Sequence, residues 1–329
     1  MTRNVEDPST TTSLDQQSII KSLSAKFDRF DRGDHPGSPE DEEPFRSGLF
    51  SAEQMERHGK TLASTHKLST LSQDDGLLAR LDQNESILIS TRDLLTRAVQ
   101  DGERITPAGE WLLDNFYLIE EQIRATRKHL PKGYSRELPR LAETGAAAST
   151  AGLPAGLPRV YHIALTTISC GDGRVDLDCL NRFVSKYQSI APLNLGELWA
   201  IPIMLRLALI ENLRRVARAI SVGMANRDLA TKWADKCIEV SEKDPKSLIL
   251  VIADMARSNP PMNGSFVSEL ARRLQWQSPS LAMPLTWIEQ HLGESGLTIE
   301  QVVQAETQVQ ASNQVSISNS IGSLRLKLD

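Results

Sequence analysis

Three cysteines and an aromatic content of 5% are little for 329 residues, and each shortage closes off a class of protein. Cys170, Cys179 and Cys237 lie far apart, none in a CxxC and none beside a histidine at metal-ligand spacing. Neither a disulfide framework nor a zinc site is expected from them, and they read as reduced, half-buried thiols of a cytoplasmic protein. The scarcity of aromatics, with Leu, Ala, Ile and Arg in excess, argues against sandwiches and barrels and for helices. A net charge of −5 offers no general attraction to nucleic acid or anionic lipid. Long apolar runs are missing as well. The longest, LWAIPIMLRLALI at 198–210, carries Arg206 in its middle and falls short of the roughly 20 residues of a membrane span. It is expected to be the buried central helix of a bundle, and no segment is expected to cross a membrane. The opening MTRNVEDPSTTTSLDQQ lacks the apolar core of a signal peptide.

What is present is helical pattern. Residues 1–44 are rich in Ser, Thr, Asp, Glu and Pro and end in GDHPGSPEDEEP, too polar to offset chain entropy. They are expected to be a disordered tail, with at most a short helix around 19–30. From Phe45 to residue 142 the chain reads as one helical region. Ser51 with Gln54 makes a capping box for a helix to about Leu68. A second helix is expected from Asp74 to about Val99, and a third from Pro107 to His129. The segment ETGAAASTAGLPAG leads into a linker at 143–157.

A second helical region, 158–329, follows. Helices are expected at 158–169 and 176–188, then at 194 to beyond 220, opened by an Asn194–Glu197 capping box and kinked at Pro202. Further helices are expected at 228–240, 245–256, 265–272, 284–291 and 299–318. No fixed repeat period occurs. The fold class is therefore all-α, a multi-helix bundle in two helical subregions behind the N-terminal tail.

The polar motifs have plain readings. Asp176-Leu-Asp178 spells the DxD with which metal-dependent glycosyltransferases hold a cation and nucleotide phosphates, but here it follows a glycine turn and heads a helix, so Asp176 is expected to be an N-cap. On the 107–129 helix, Leu112, Phe116, Ile119 and Ile123 form an apolar stripe. Glu110, Asp114, Tyr117, Glu121, Arg124 and Lys128 form the opposite one, with acids toward the N-terminus and bases toward the C-terminus. Helical spacing would let Glu110, Asp114 and Glu121 supply paired carboxylates, but Arg124 and Lys128 are placed to neutralise them, so a salt network or docking face is expected. Arg206 must find an acceptor, with Glu120 favoured over Glu110, Asp114, Glu121, Glu197 and Glu211. Trp111, Trp199, Tyr134 and Tyr187 are expected to be core or inter-helix anchors. The six histidines look scattered, and no GxxxxGK[ST], GxSxG or HExxH occurs. No catalytic, cofactor or metal residue is assigned. The candidate structural or docking residues are Glu110, Trp111, Asp114, Glu120, Glu121, Arg136, Glu197, Trp199, Arg206, Glu211 and Arg214.

Three blocks carry a specific resemblance: TPAGEWLLDNFYLIEEQIRATRKHLPKGYSRELPR at 106–140, APLNLGELWAIPIMLRLALIENLRR at 191–215, and NQVSISNSIGSL at 313–324. In that order, over roughly residues 45–326, the chain resembles the N-terminal region of cyclic β-1,2-glucan synthases, the glycosyltransferase family 36 and glycoside hydrolase family 94 fusion proteins. The resemblance implies that membrane spans, a glycosyltransferase domain and a phosphorylase-like domain follow in the complete family members. It also implies that UDP-glucose and a divalent cation belong to those downstream parts and not to this stretch. The chain would then be a non-catalytic scaffold, as a fragment or truncated product, on the cytoplasmic side of the inner membrane, with the downstream domains as partners. A stand-alone helical interaction module docking another protein is the alternative, and a self-sufficient carbohydrate-active enzyme is third.

Overall fold

The computed structural model describes residues 44–45, 49–69, 76–130, 133–142, 156–275 and 277–326. The expected tail at 1–44 lies outside these apart from Pro44. The expected linker at 143–157 lies outside them apart from residues 156 and 157, as does the expected helix start at Asp74. Among the described residues the fold is all-α: eleven α-helices and one two-stranded ribbon. They are α1 Ala52–Thr65, α2 Leu77–Gln100, α3 Pro107–Asp114, α4 Phe116–His129, α5 Arg159–Cys170, α6 Leu177–Gln188, α7 Leu195–Lys243, α8 Leu248–Ser258, α9 Gly264–Leu274, α10 Ala282–Gly293 and α11 Ile299–Leu324.

The helix starts are built as their sequences dictate. Ser51 Oγ accepts from the Gln54 backbone N–H while the Gln54 side chain accepts from Ser51, a complete capping box ahead of α1. Asp176 Oδ1 accepts from the backbone N–H groups of Asp178 and Cys179, both at 3.0 Å, so the DxD is an N-cap.

Two boundaries differ from the pattern. The expected 107–129 helix is two, α3 and α4, divided at Asn115, whose carbonyl takes the N–H groups of Leu118 and Ile119. The expected helices after 194 and at 228–240 are one, α7, which runs through Pro202 and Gly223 to Lys243. A single glycine costs only about 1 kcal/mol in a helix interior.

The chain forms two compact units. Of the described residues, the first takes those up to Asp93, those from Asn115 to Arg215 and those from Asn319 on, and the second those of Leu94–Asp114 and Val216–Ser318. Each unit draws on stretches from both sides of residues 143–157. In the first unit, residues 203–215 of α7 are buried on every side, apart from the half-buried Arg206. A helix apolar all round belongs inside a bundle, as the 198–210 run implied. In the same unit α1 and α6 pack closely on each other. A Cβ at Gly59 would stand 2.8 Å from the Phe183 carbonyl oxygen, so the contact requires a residue without one. The ribbon pairs β1, Leu68–Ser69, antiparallel with β2, Arg140–Leu141.

The second unit has its own core. Ala230, Ala234 and Cys237 of α7 pack with Leu248, Val251 and Met255 of α8, Phe266, Val267 and Leu270 of α9, Ile288 of α10 and Ile299 of α11. All three cysteines of the chain are free thiols. Burial pushes Cys170 up to about 12 and Cys237 up to about 11, values that leave them unreactive near neutrality.

Candidate functional site

The polar groups of the first unit converge on Glu211, which is fully buried in α7. Arg80 of α2 grips it with a guanidinium fork, Nε to Oε2 at 3.0 Å and Nη2 to Oε1 at 2.7 Å. Asn84, one turn further along α2, donates to Oε2 at 2.9 Å. Arg214 and Arg215, one turn along α7, donate to Oε1 at 3.2 and 3.3 Å. Burial alone would raise the Glu211 carboxyl, but Arg80, Arg214 and Arg215 outweigh it and hold the group well below the usual carboxylate range. The buried Tyr161 adds a hydrogen bond with Arg80. Arg215 lies 4.0 Å over the Phe45 ring, and the Phe45 backbone N–H donates to Asn212 Oδ1 at 3.2 Å.

A second buried pair stands at the start of α7. Glu197 closes the predicted capping box with Asn194, and its carboxylate takes Arg159 Nε at 2.6 Å and Nη2 at 2.7 Å. Arg159 Nη2 also donates to the Pro192 carbonyl at 2.8 Å. The same arginine hydrogen-bonds Tyr187, whose hydroxyl is 2.7 Å from His66 Nδ1, and His66 Nε2 is 2.8 Å from His162 Nδ1.

Arginine only donates, so the Tyr187 oxygen accepts from Arg159, while the direction of the two histidine bonds is set by the tautomers of His66 and His162. Both rings are held in the neutral form. Burial, with His162 and Arg159 adding to it, lowers His66 to about 3, and burial with His58 lowers His162 to about 4.

The residues singled out in the sequence fall into three groups. Glu197, Glu211 and Arg214 belong to the buried networks just described. Glu120 is half-buried on α4 and holds Arg92 of α2 at 2.9 Å, while Arg92 also lies 4.9 Å over the Phe116 ring. The carboxylates expected for Arg206 that have ion pairs here thus go to other arginines: Glu120 to Arg92, Glu197 to Arg159, and Glu211 to Arg80, Arg214 and Arg215. Arg206 is half-buried.

Glu110, Asp114, Glu121 and Arg136 are exposed. Tyr117, Glu121, Arg124, Ala125 and Lys128 line a shallow groove on the outer stripe of α4. The aromatic anchors divide. Tyr187 is fully buried as expected, but Trp199 is 74% exposed, Trp111 39% and Tyr134 36%, which corrects the expectation that all four are core anchors. Trp199 lies on the outward side of an α7 turn that also carries the fully buried Glu197 and Ala200.

Arg80, Asn84, Arg159 and Arg215 were missed. The meeting of His66 with His162, 96 positions apart, left no trace in sequence spacing. Among the described residues no group of three or more His, Cys, Asp or Glu is placed to hold a metal ion, and no helix is long and apolar enough to cross a membrane.

No protein-family model matches the chain. It is 30% identical over 282 residues, 85% of its length, to the cyclic β-(1,2)-glucan synthase NdvB of Rhizobium meliloti (strain 1021), and the match spans 10% of that protein. The chain thus resembles one segment of a much longer synthase.

Proposed function

We propose that this chain is a non-catalytic helical scaffold region of a cyclic β-1,2-glucan synthase-like protein, lying on the cytoplasmic side of the inner membrane and packing beside the domains that transfer glucose. The observation that carries the reading is the match to the synthase over most of the chain. The Glu211 and Arg159–Glu197 networks support it. Charges shielded from water and spent on one another fix helix register, and offer nothing to a reacting group. On this reading UDP-glucose and a divalent cation engage the transferase and not this region, and the chain itself has no cofactor.

A second reading, a stand-alone module that docks another protein, draws support from the exposed Tyr117, Glu121 and Lys128 stripe. Catalysis by the chain alone is the least supported, because Asp176, the first acid of its one transferase-like motif, spends its carboxylate on its own helix.

Incubating the purified chain with UDP-glucose and Mg²⁺ or Mn²⁺ tests the non-catalytic part. UDP should stay at the level of a heat-killed control. Release above that level, lost in Asp176→Asn or Asp178→Asn, overturns the reading.

A further inference from the structure

The second unit contains a polar cavity that the networks above do not touch. Arg227 of α7, Ser265 of α9, Glu306 and Gln310 of α11 and the apolar Ala219 and Ile220 line a partly enclosed space of about 50 Å³. Its polar groups are only partly spent on each other. Glu306 Oε1 accepts from Ser265 Oγ at 3.0 Å and from Gln310 Nε2 at 2.9 Å. The Arg227 Nη1 is 3.7 Å from the same oxygen, beyond hydrogen-bond range, and Arg227 Nη2 is shielded from solvent with no hydrogen-bond partner among the described residues. A buried donor of this kind is costly until an acceptor reaches it.

The geometry is held by two glycines. A Cβ at Gly264 would meet Glu306 Oε2 at 2.6 Å, and one at Gly223 would meet Ser265 Oγ at 3.2 Å and Arg227 Nη1 at 3.4 Å. A side chain at Gly264 would displace the Glu306 carboxylate, whereas at Gly223 it would be in close contact with Ser265 and Arg227.

The chemistry of the acceptor can be narrowed. An anion would satisfy Arg227 but would be repelled by the Glu306 carboxylate beside it. A cation would reverse the conflict. A hydroxyl meets both, accepting from Arg227 Nη2 and donating to Glu306, and two neighbouring hydroxyls would use the fork of the guanidinium and the carboxylate together. At roughly 10–15 Å³ per enclosed water, a cavity of about 50 Å³ takes a few oxygen-sized groups. That admits the hydroxyl edge of one sugar ring, whose body would stay outside the cavity.

We propose that this cavity binds the vicinal hydroxyls of a neutral glucosyl residue. The choice of glucose rests on the function proposed above; the preference for a neutral polyol rests on the cavity alone.

The test is titration of the isotope-labelled full chain with the β-1,2-linked disaccharide of glucose, read by nuclear magnetic resonance at the Arg227 guanidinium and the Gln310 side-chain amide. Saturable shifts at both groups are expected. Glu306→Gln and Ser265→Ala, which preserve volume closely, should weaken binding about tenfold and about threefold, the loss of one charge-assisted and one neutral hydrogen bond. Arg227→Met should abolish it, provided its circular dichroism matches the wild type; if it does not fold, the two conservative variants decide. No shift at any sugar concentration means a cavity that holds water only, and equal or larger shifts with acetate or phosphate mean an anion site; either overturns the proposal. Absent sugar binding in a chain that still supports glucan synthesis removes this inference alone, whereas sugar binding in a chain that does not support synthesis removes the scaffold reading alone.

Discussion

Arg80 and Glu211, 131 positions apart, meet as a two-bond fork in which the carboxylate is wholly buried and the guanidinium only partly so. The pair fixes the register of α2 on α7, and the carboxylate also balances Arg214 and Arg215. Glu211→Ala leaves three guanidinium groups around an uncompensated site and is expected to lower stability by about 3–5 kcal/mol. Glu211→Gln keeps an acceptor for Asn84 and should lose less. Urea unfolding monitored by circular dichroism measures both. A loss below about 1 kcal/mol for Glu211→Ala would show that the network is not a structural keystone.

Arg159→Lys tests the second buried pair. Lysine keeps the charge but cannot present two parallel N–H groups to Glu197 and a third to the Pro192 carbonyl. A loss of about 2 kcal/mol is expected, the scale of one to two charge-assisted hydrogen bonds. Full retention of stability in the same unfolding assay would mean that charge alone suffices.

The His66–His162 contact makes a pH prediction whose sign is fixed. Both histidines are lowered in the folded state, to about 3 and about 4, while the unfolded chain binds protons near 6.5. Their contribution is therefore fully present above pH 6.5 and is lost as pH falls through the window from 6.5 toward 4. The slope should reach about 1.4 kcal/mol per pH unit for each histidine. His162→Gln should flatten the slope in that window while leaving a low-pH loss from Glu211, whose carboxyl is also depressed. An unchanged slope in His162→Gln would show that these rings do not titrate as a buried neutral pair.

Gly59→Ala probes the close approach of α1 to α6. The added methyl would stand 2.8 Å from a backbone oxygen that has no rotamer to move. A destabilisation of about 1–3 kcal/mol is expected despite alanine's better helix propensity, and a more stable variant would contradict the packing.

How much of this was legible depends on the range of the interaction. The Ser51–Gln54 and Asn194–Glu197 boxes and the Asp176 cap were readable because each closes within three residues. The burial of 203–210 was readable because its apolar residues go all round the helix. The division at Asn115 was not, since the Arg325 guanidinium that bonds the Asn115 side chain at 2.7 Å lies 210 positions away. Glu120 does sit beside the buried stripe, as helical spacing requires, but its pairing with Arg92 of α2, 28 positions away, left no local signal. Trp199 shows the converse error: a large aromatic in an apolar run was read as core, although it takes the outward side of a turn whose inward side holds Glu197 and Ala200.

The most direct test of the scaffold account is a graft. In a full-length cyclic β-1,2-glucan synthase, the segment that aligns with this chain would be deleted, replaced by this chain, or replaced by the Glu211→Ala variant, and cyclic β-1,2-glucan measured in membranes supplied with UDP-glucose. Deletion should abolish synthesis at normal protein levels, the graft should restore it, and the variant should restore it only at low temperature, where the destabilised scaffold still folds. Undiminished synthesis by the deletion, or no rescue by a graft that accumulates and folds, would contradict the account.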